Sequence, residues 1–221
     1  MKSMLKLIET SDGSHTIYVP AMEEHYHSIH GAVQESSFIF TGNGFGACDA
    51  DPVFILEVGF GTGLNALLTA IKAMEGTRQV FYTSLEKYPL EKELIGSLNY
   101  HLFAGKDGKV IFDNIHNSEW NKMVKITLNF NLMKIKTDLT IKKPEGLYNL
   151  IYFDAFGPDK QPEMWTPEIF SSISAVTRKN GILVTYSAKG EVKRNLKANG
   201  FEVSLLPGPP GKRQMIRAVK I

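Results

Sequence analysis

Residues 53–70, VFILEVGFGTGLNALLTA, constrain the fold more than any other stretch. The stretch opens on a short apolar run, residues 53–58, preceded by Pro52. A run of that length and β-rich content suits a strand buried on both faces of a parallel sheet. Gly59, Gly61 and Gly63 follow at alternate positions. Then Leu64, Leu67, Leu68 and Ile71 recur at helical spacing. Strand, glycine turn and helix open a doubly wound α/β fold, whose ligand site lies over the C-terminal end of the strand.

The glycines also restrict the ligand. A dinucleotide fingerprint, G-x-G-x-x-G, needs its third glycine where Leu64 stands. Glu57 precedes the first glycine by two residues, and a carboxylate there would repel a pyrophosphate but favour a cation. S-adenosylmethionine has no phosphate and carries a sulfonium and an ammonium. Glycines let the backbone approach such a ligand with no Cβ in the way. E-x-G-x-G-x-G resembles the glycine-rich motif of class I methyltransferases. Phe60 and Asn65, within the same turn and helix start, join Glu57 and the three glycines as cofactor-binding candidates.

The rest of the chain fits one such fold. Residues 4–9 and 15–19 flank the turn Ser11-Asp12-Gly13 and read as a hairpin. Residues 30–37 have helix-compatible composition, and TGNGFG after Phe40 reads as a flexible loop. Residues 1–50 are thus an N-terminal extension of hairpin and loop packed on a core domain, 51–221. Strands are expected at 79–85, 126–135, 148–153, 181–186, 201–206 and 215–219. Helices are expected at 90–98, 167–177 and 191–198, and helical pieces in 100–125. The last two strands, joined by LPGPPGKRQ, suggest an antiparallel edge.

Composition excludes little. The single Cys48 rules out an internal disulfide and suits a reducing compartment. The N-terminus MKSMLKLIETSDG has no signal-peptide core, and no run is apolar enough for a membrane span. A cytoplasmic protein with no membrane partner is the expectation. His25, His27 and His30 match no common zinc spacing, so no metal is expected. Net charge is +2, but from Tyr186 to the end eight Lys/Arg face two Asp/Glu. That surplus fits either a nucleic-acid footprint or a solvated surface.

Four acidic residues fall at or just beyond expected strand ends: Glu57, Glu86, Asp138 and Asp154. They should share one rim of the sheet. Glu57 would face the methionine end of the donor. Glu86, with Lys87 beside it, lies 23 residues after Gly63, where an acidic residue can hold the two ribose hydroxyls. Asp138 would accept from the adenine amino group, and Asp154 would lie nearest the methyl group.

Four segments in order, HYHSIHGAVQES, LEVGFGTGLNALL, FDAFGPDKQPEMW and PGPPGKRQMIRA, resemble the stand-alone counterpart of the MnmC methyltransferase domain. The likeness covers nearly the whole chain and weakens between 100 and 125. Its specific part is D-x-F-x-P-x-x-x-P-x-M-W, from Asp154 to Trp165. The resemblance implies a Rossmann-like, seven-stranded, mostly parallel sheet with an antiparallel edge strand, in the order 3-2-1-4-5-7-6. It implies methylation of the aminomethyl group on the wobble uridine of tRNA, giving 5-methylaminomethyl-(2-thio)uridine. The acceptor would be presented in the anticodon loop. The bifunctional enzyme also carries an FAD oxidase. This chain ends after its last expected strand, so the oxidase is expected to be absent, and the enzymes forming the aminomethyl group are candidate partners.

The residues suit that chemistry. Asp154 matches the family aspartate and would orient the amine and take up or relay its proton. Phe156 and Trp165 fit either stacking on the base or core packing. Tyr26 and His27, in the matched N-terminal motif, fit either the donor or amine pocket or packing of the extension. Lys212 and Arg213 match the family's basic pair and, with Lys189, Lys193 and Arg194, are candidates for the tRNA backbone. The alternative is an N-methyltransferase or aminopropyltransferase-like enzyme acting on a small amine.

Overall fold

The computed structural model describes residues 5–221, so Met4, where the first expected strand begins, lies outside the described residues. The chain opens with three short antiparallel strands, β1 (Lys6–Glu9), β2 (His15–Val19) and β3 (Glu24–His25). Helix α1 (Ala32–Ser36) runs straight into a π-helical turn, Ser37–Gly42. TGNGFG, expected as a flexible loop, is an ordered part of the core. Thr41, Gly44 and Phe45 are buried, because the apolar FIF run draws Gly44 against Tyr152 and Val184 of the sheet, while Gly42 and Gly46 stay exposed.

Next come β4 (Val53–Val58), α2 (Leu64–Met74), β5 (Val80–Glu86), α3 (Lys92–Gly96) and α4 (Gly108–Asn117). They are followed by β6 (Met123–Lys125), β7 (Phe130–Lys136) and β8 (Tyr148–Phe153). The chain closes with α5 (Pro167–Val176), β9 (Thr177–Thr185), α6 (Gly190–Ala198), β10 (Phe201–Pro207) and β11 (Gln214–Lys220).

The main sheet runs β10-β11-β9-β8-β4-β5-β7-β6. Strands β7, β5, β4, β8 and β9 are mutually parallel, and β11 lies antiparallel between β9 and β10. Seven strands take the order the resemblance implies, and β6 adds an eighth, antiparallel to β7. The expectation of a strand from residue 126 and of only helical pieces before it is therefore corrected. Residues 126–129 are the turn of a β6–β7 hairpin, closed by Ile126 N donating to Phe130 O at 2.9 Å. The Asn129 side chain spends its donors on the carbonyls of Ala73 and Gly76, which end α2.

The parallel strands are covered on both faces, as their continuous apolar sequence requires. Val53 and Ile55 of β4 join one core with Leu64, Leu67 and Ala70 of α2 and Ile111, Phe112 and Ile115 of α4. Leu56 and Val58 join the opposite core with Ile169, Phe170 and Ile173 of α5 and Val192 and Leu196 of α6. Strand order reverses at β4: β5 lies on one side and β8 on the other, both parallel to it. The crevice beyond that switch point is where an open α/β sheet binds ligands.

Candidate active site

A cavity of about 550 Å³ opens there. Its floor is the glycine turn. Gly59 has φ 93°, and a Cβ on it would stand 2.8 Å from the Asp154 carbonyl oxygen. Only glycine lets β4 and β8 leave the sheet side by side at this point. Gly63, at φ 73°, turns the chain into α2 beneath His116 and Phe60.

One end of the cavity is acidic. Glu86 Oε2 accepts the Gly61 N–H at 2.9 Å, and its Oε1 accepts the Tyr88 N–H at 2.7 Å. Lys87 and Asp138 form an ion pair at 2.7 Å on the same wall. Asp138 also accepts from the Thr140 N–H and hydroxyl. Hydrogen bonding to Lys87 is the largest influence holding the Asp138 carboxyl below its usual range.

The other end is built by the N-terminal segment, the loop after β8 and the turn between β10 and β11. Tyr26 stands edge-on to Phe156 with ring centroids 5.0 Å apart. His27 Nε2 shares a hydrogen bond of 2.7 Å with Thr62 Oγ1. Asn65 Nδ2 donates to Asp154 Oδ2 at 2.8 Å. Glu35 pairs with Lys212, whose Nζ lies 4.8 Å from the centre of the Tyr186 ring.

Residues 109–221 match the model of an S-adenosyl-L-methionine-dependent methyltransferase family. The chain belongs to that family. The tRNA 5-methylaminomethyl-2-thiouridine biosynthesis bifunctional protein MnmC of Cupriavidus metallidurans is 32% identical over 225 residues, covering 94% of this chain and 33% of that protein. The MnmC of Campylobacter hominis is 32% identical over 173 residues, covering 75% of this chain and 25% of that protein. The methyltransferase chain thus spans between a quarter and a third of these curated relatives. The crystal structure of MnmC2 from Aquifex aeolicus superposes with a TM-score of 0.80 at 25% identity, covering 98% of this chain and 70% of that one.

The methyltransferase cavity suits its donor. The glycine floor leaves a cradle that a Cβ would fill, and the wall at Glu86 and Asp138 offers acceptors, with Lys87 held by Asp138. Of the residues expected at the site, Gly59, Phe60, Gly61, Asn65, Glu86, Lys87, Asp138 and Asp154 line the cavity, as do Tyr26, His27, Phe156 and Lys212. Glu57, Gly63, Trp165 and Arg213 do not.

Each of the four has a physical reason. Glu57 is 0% exposed, because the strand's alternation turns it to the face that α2 covers, where Ser84 Oγ of the neighbouring strand donates to it. Burial pushes its carboxyl up to about 8. It cannot face the methionine end of a donor directly. Gly63 serves the turn rather than the wall. Trp165 is buried against Phe153 at 4.9 Å, and its Nε1 donates to the Phe156 carbonyl at 2.7 Å. It braces the loop that carries Phe156 and has no face free for a base. Arg213 is exposed, whereas Lys212 turns inward, so the basic pair diverges and does not form one phosphate clamp.

Sequence reasoning missed Glu35 and Tyr186 of the wall, and Ser36 buried behind it. Ser36 Oγ donates to Asn65 Oδ1, and Tyr186 OH donates to the Ala155 carbonyl at 2.8 Å. One signal for Glu35 was present: in AVQES it is the lone charge of a segment continuing into FIF. Burial pushes the Asp154 carboxyl well above the usual carboxylate range; the Asn65 hydrogen bond and Lys212 oppose that, while Glu35 and Glu57 add to it. Burial also draws the His27 imidazole down to about 4, so the ring is neutral at pH 7. Asp154 is therefore poised to hold a proton or a cation.

No three His, Cys, Asp or Glu side chains gather as a metal site among the described residues. No helix among them is long and apolar enough to cross a membrane.

Proposed function

We propose that this chain methylates the primary amine of 5-aminomethyl-(2-thio)uridine at the wobble position of tRNA, using S-adenosylmethionine. The observation that carries this reading is Asp154. It sits where the acidic donor wall meets a pocket whose other groups, Glu35, Tyr26 and Phe156, suit an organic ammonium attached to a flat base. The likeness to MnmC proteins supports the choice of acceptor.

When bound, the donor supplies an electrophilic methyl on sulfur. Everything else falls to the residues. Glu86 accepts from the ribose hydroxyls and Asp138 from the adenine amino group. Asp154 draws in the substrate ammonium, accepts one of its protons and leaves the nitrogen lone pair free to attack. Its raised affinity for protons serves that step. Tyr26 and Phe156 frame the base, which an unpaired loop can present at modest cost. Displacement at a methyl needs alignment and exclusion of water more than acid–base force.

On this reading, residues 1–50 are an extension that completes the acceptor side of a methyltransferase domain at 51–221. A tRNA acceptor places the enzyme in the cytoplasm, where the enzymes that make the aminomethyl group are its natural partners. Lys193, Arg194 and Arg213 offer phosphate contacts outside the cavity.

The test is methyl transfer from labelled donor to tRNA from cells lacking this protein, with nucleoside mass spectrometry of the product. Conversion of aminomethyl- to methylaminomethyluridine, lost in Asp154→Ala, is expected. Intact donor binding with no transfer to tRNA would overturn the reading and redirect the search to free amines.

A further inference from the structure

We propose that Glu35 is the anchor for the acceptor's ammonium and that Lys212 occupies its place in the free enzyme. The incoming ammonium displaces Lys212 Nζ from Glu35 Oε1, and Lys212 swings outward. This deepens the function proposed above and rests on an amine being the acceptor.

Glu35 is 7% exposed. Its Oε2 is fixed by the Ser28 N–H at 2.9 Å, and its Oε1 is met by Lys212. A carboxylate this deep needs a cation. Lys212 comes from 177 residues away in sequence, on the turn between β10 and β11. Its side chain, 29% exposed, reaches into the cavity, whereas its neighbour Arg213 stays in solvent.

The place it reaches has the composition of an ammonium site. A carboxylate lies on one side and the face of Tyr186 on another, 4.8 Å from Nζ to the ring centre. Cations are held over aromatic faces in this way. The Tyr186 hydroxyl is tied to the Ala155 carbonyl, so this ring is fixed to the residue after Asp154. An aminomethyl group brings the same charge and the same donors as a lysine terminus. It can therefore take the same partners, and it arrives beside Asp154.

The displaced side chain also has a use. The turn that carries Lys212 is exposed at Arg213 and contains Gly208 and Gly211. Freed from Glu35, Lys212 stands next to Arg213 as a second cation for a phosphate. Polyanion binding at the turn and amine binding at Glu35 then favour one another, because both draw Lys212 off the carboxylate. A free small amine gains no such help, so selection for an amine carried on RNA follows.

The probe is the nucleoside 5-aminomethyluridine, which has no phosphate, titrated by calorimetry into protein saturated with S-adenosylhomocysteine. Lys212→Met is expected to bind it about tenfold more tightly than wild type, and Glu35→Gln at least about tenfold more weakly. In the Glu35→Gln background, Lys212→Met should bring no gain. The uncharged 5-hydroxymethyluridine should bind all four proteins alike. A gain in affinity cannot come from misfolding, so Lys212→Met keeps the test sound even if Glu35→Gln is unstable. Weaker or unchanged binding by Lys212→Met, wild-type binding by Glu35→Gln, or no binding by any protein overturns the proposal. If the binding pattern holds but wild type transfers no methyl to aminomethyl-tRNA, the acceptor assignment fails and the ammonium site stands.

Discussion

Asn65 Nδ2 donates to Asp154 Oδ2 at 2.8 Å, and Ser36 Oγ, donating to Asn65 Oδ1, decides which way round the amide stands. Asn65 is 2% exposed, so neither end can trade its partner for water. The hydrogen bond favours the ionised form of Asp154 against the burial that opposes it. Asn65→Ala removes the donor and should raise the carboxyl's affinity for protons further. A hydrogen bond to a charged group is worth about 1.5–3 kcal/mol, so kcat at neutral pH should fall about 10- to 100-fold. The acid limb of the pH–rate profile should move to higher pH. An unshifted limb would mean that Asn65 does not set the charge of Asp154.

The donor end gives a graded pair. Glu86 is held by two backbone N–H groups, which fix its carboxylate against the glycine turn. Asp138 is tied to Lys87 on the outer wall. Glu86→Ala should weaken donor binding by about 2 kcal/mol, and Asp138→Ala by about 1 kcal/mol. At saturating donor, kcat should change less than about threefold in both, since each removes binding shared by ground and transition states. Calorimetry with S-adenosylhomocysteine and a kcat measurement check this. Equal losses for both would deny that the carboxylate fixed against the glycine turn carries more of the donor.

The buried titratable groups predict opposite pH slopes. Burial pushes Glu57 up to about 8 from an ordinary 4.5, so the folded chain holds a proton that the unfolded chain releases. The contribution of Glu57 to stability is full below 4.5 and is lost as pH rises towards about 8. Burial draws His27 and His116 down to about 4 from 6.5, so their contribution is full above 6.5 and is lost as pH falls towards about 4. Scanning calorimetry across pH should show Glu57→Gln gaining on wild type as pH rises. His116→Gln should gain as pH falls. Parallel curves for wild type and Glu57→Gln would mean that the carboxyl is not protonated in the folded state.

The legible part of this protein was the part governed by periodicity and by glycine. Residues 53–70 sufficed for the strand, the turn, the helix and the position of the cleft, because burial on both faces and close backbone approach each demand particular residue types. What escaped was set by tertiary contact. Lys134 stands on the buried face of β7, where alternation calls for an apolar residue. It is tolerated because its Nζ caps α4 through the Ile115 and His116 carbonyls, a partnership made only when the helix folds back on the strand. Strand β6 is three residues long and has no pattern to read. Glu35 and Lys212 meet only because the sheet brings its far edge beside the N-terminal segment. At Glu57 the reading was right about the strand and wrong about the direction of the side chain, since a strand-end carboxylate serves the ligand only if the pleat turns it outward.

Asp12 carries the last prediction. Its Oδ2 accepts the Gln34 N–H at 2.9 Å at the start of α1, whose own cap position, Gly31, has no side chain to offer. Its Oδ1 accepts the Ser14 N–H at 3.0 Å inside the β1–β2 turn. One carboxylate thus caps the helix that presents Glu35 and Ser36 and closes the hairpin beneath it. Burial opposes its charge, yet hydrogen bonds from Ser14, Gln34 and Thr10 outweigh burial and hold the carboxyl below its ordinary 3.8. Its contribution to stability is therefore present above 3.8 and is lost as pH falls through the lower, folded-state value. Asp12→Ala should cost about 1–2 kcal/mol, as loss of a helix cap does. Because α1 presents Glu35 to the acceptor side, acceptor KM should rise more than donor affinity falls. Urea unfolding, donor calorimetry and steady-state kinetics on one preparation separate these effects. A matched loss of donor and acceptor binding would mean that the hairpin supports the whole fold and not the acceptor wall.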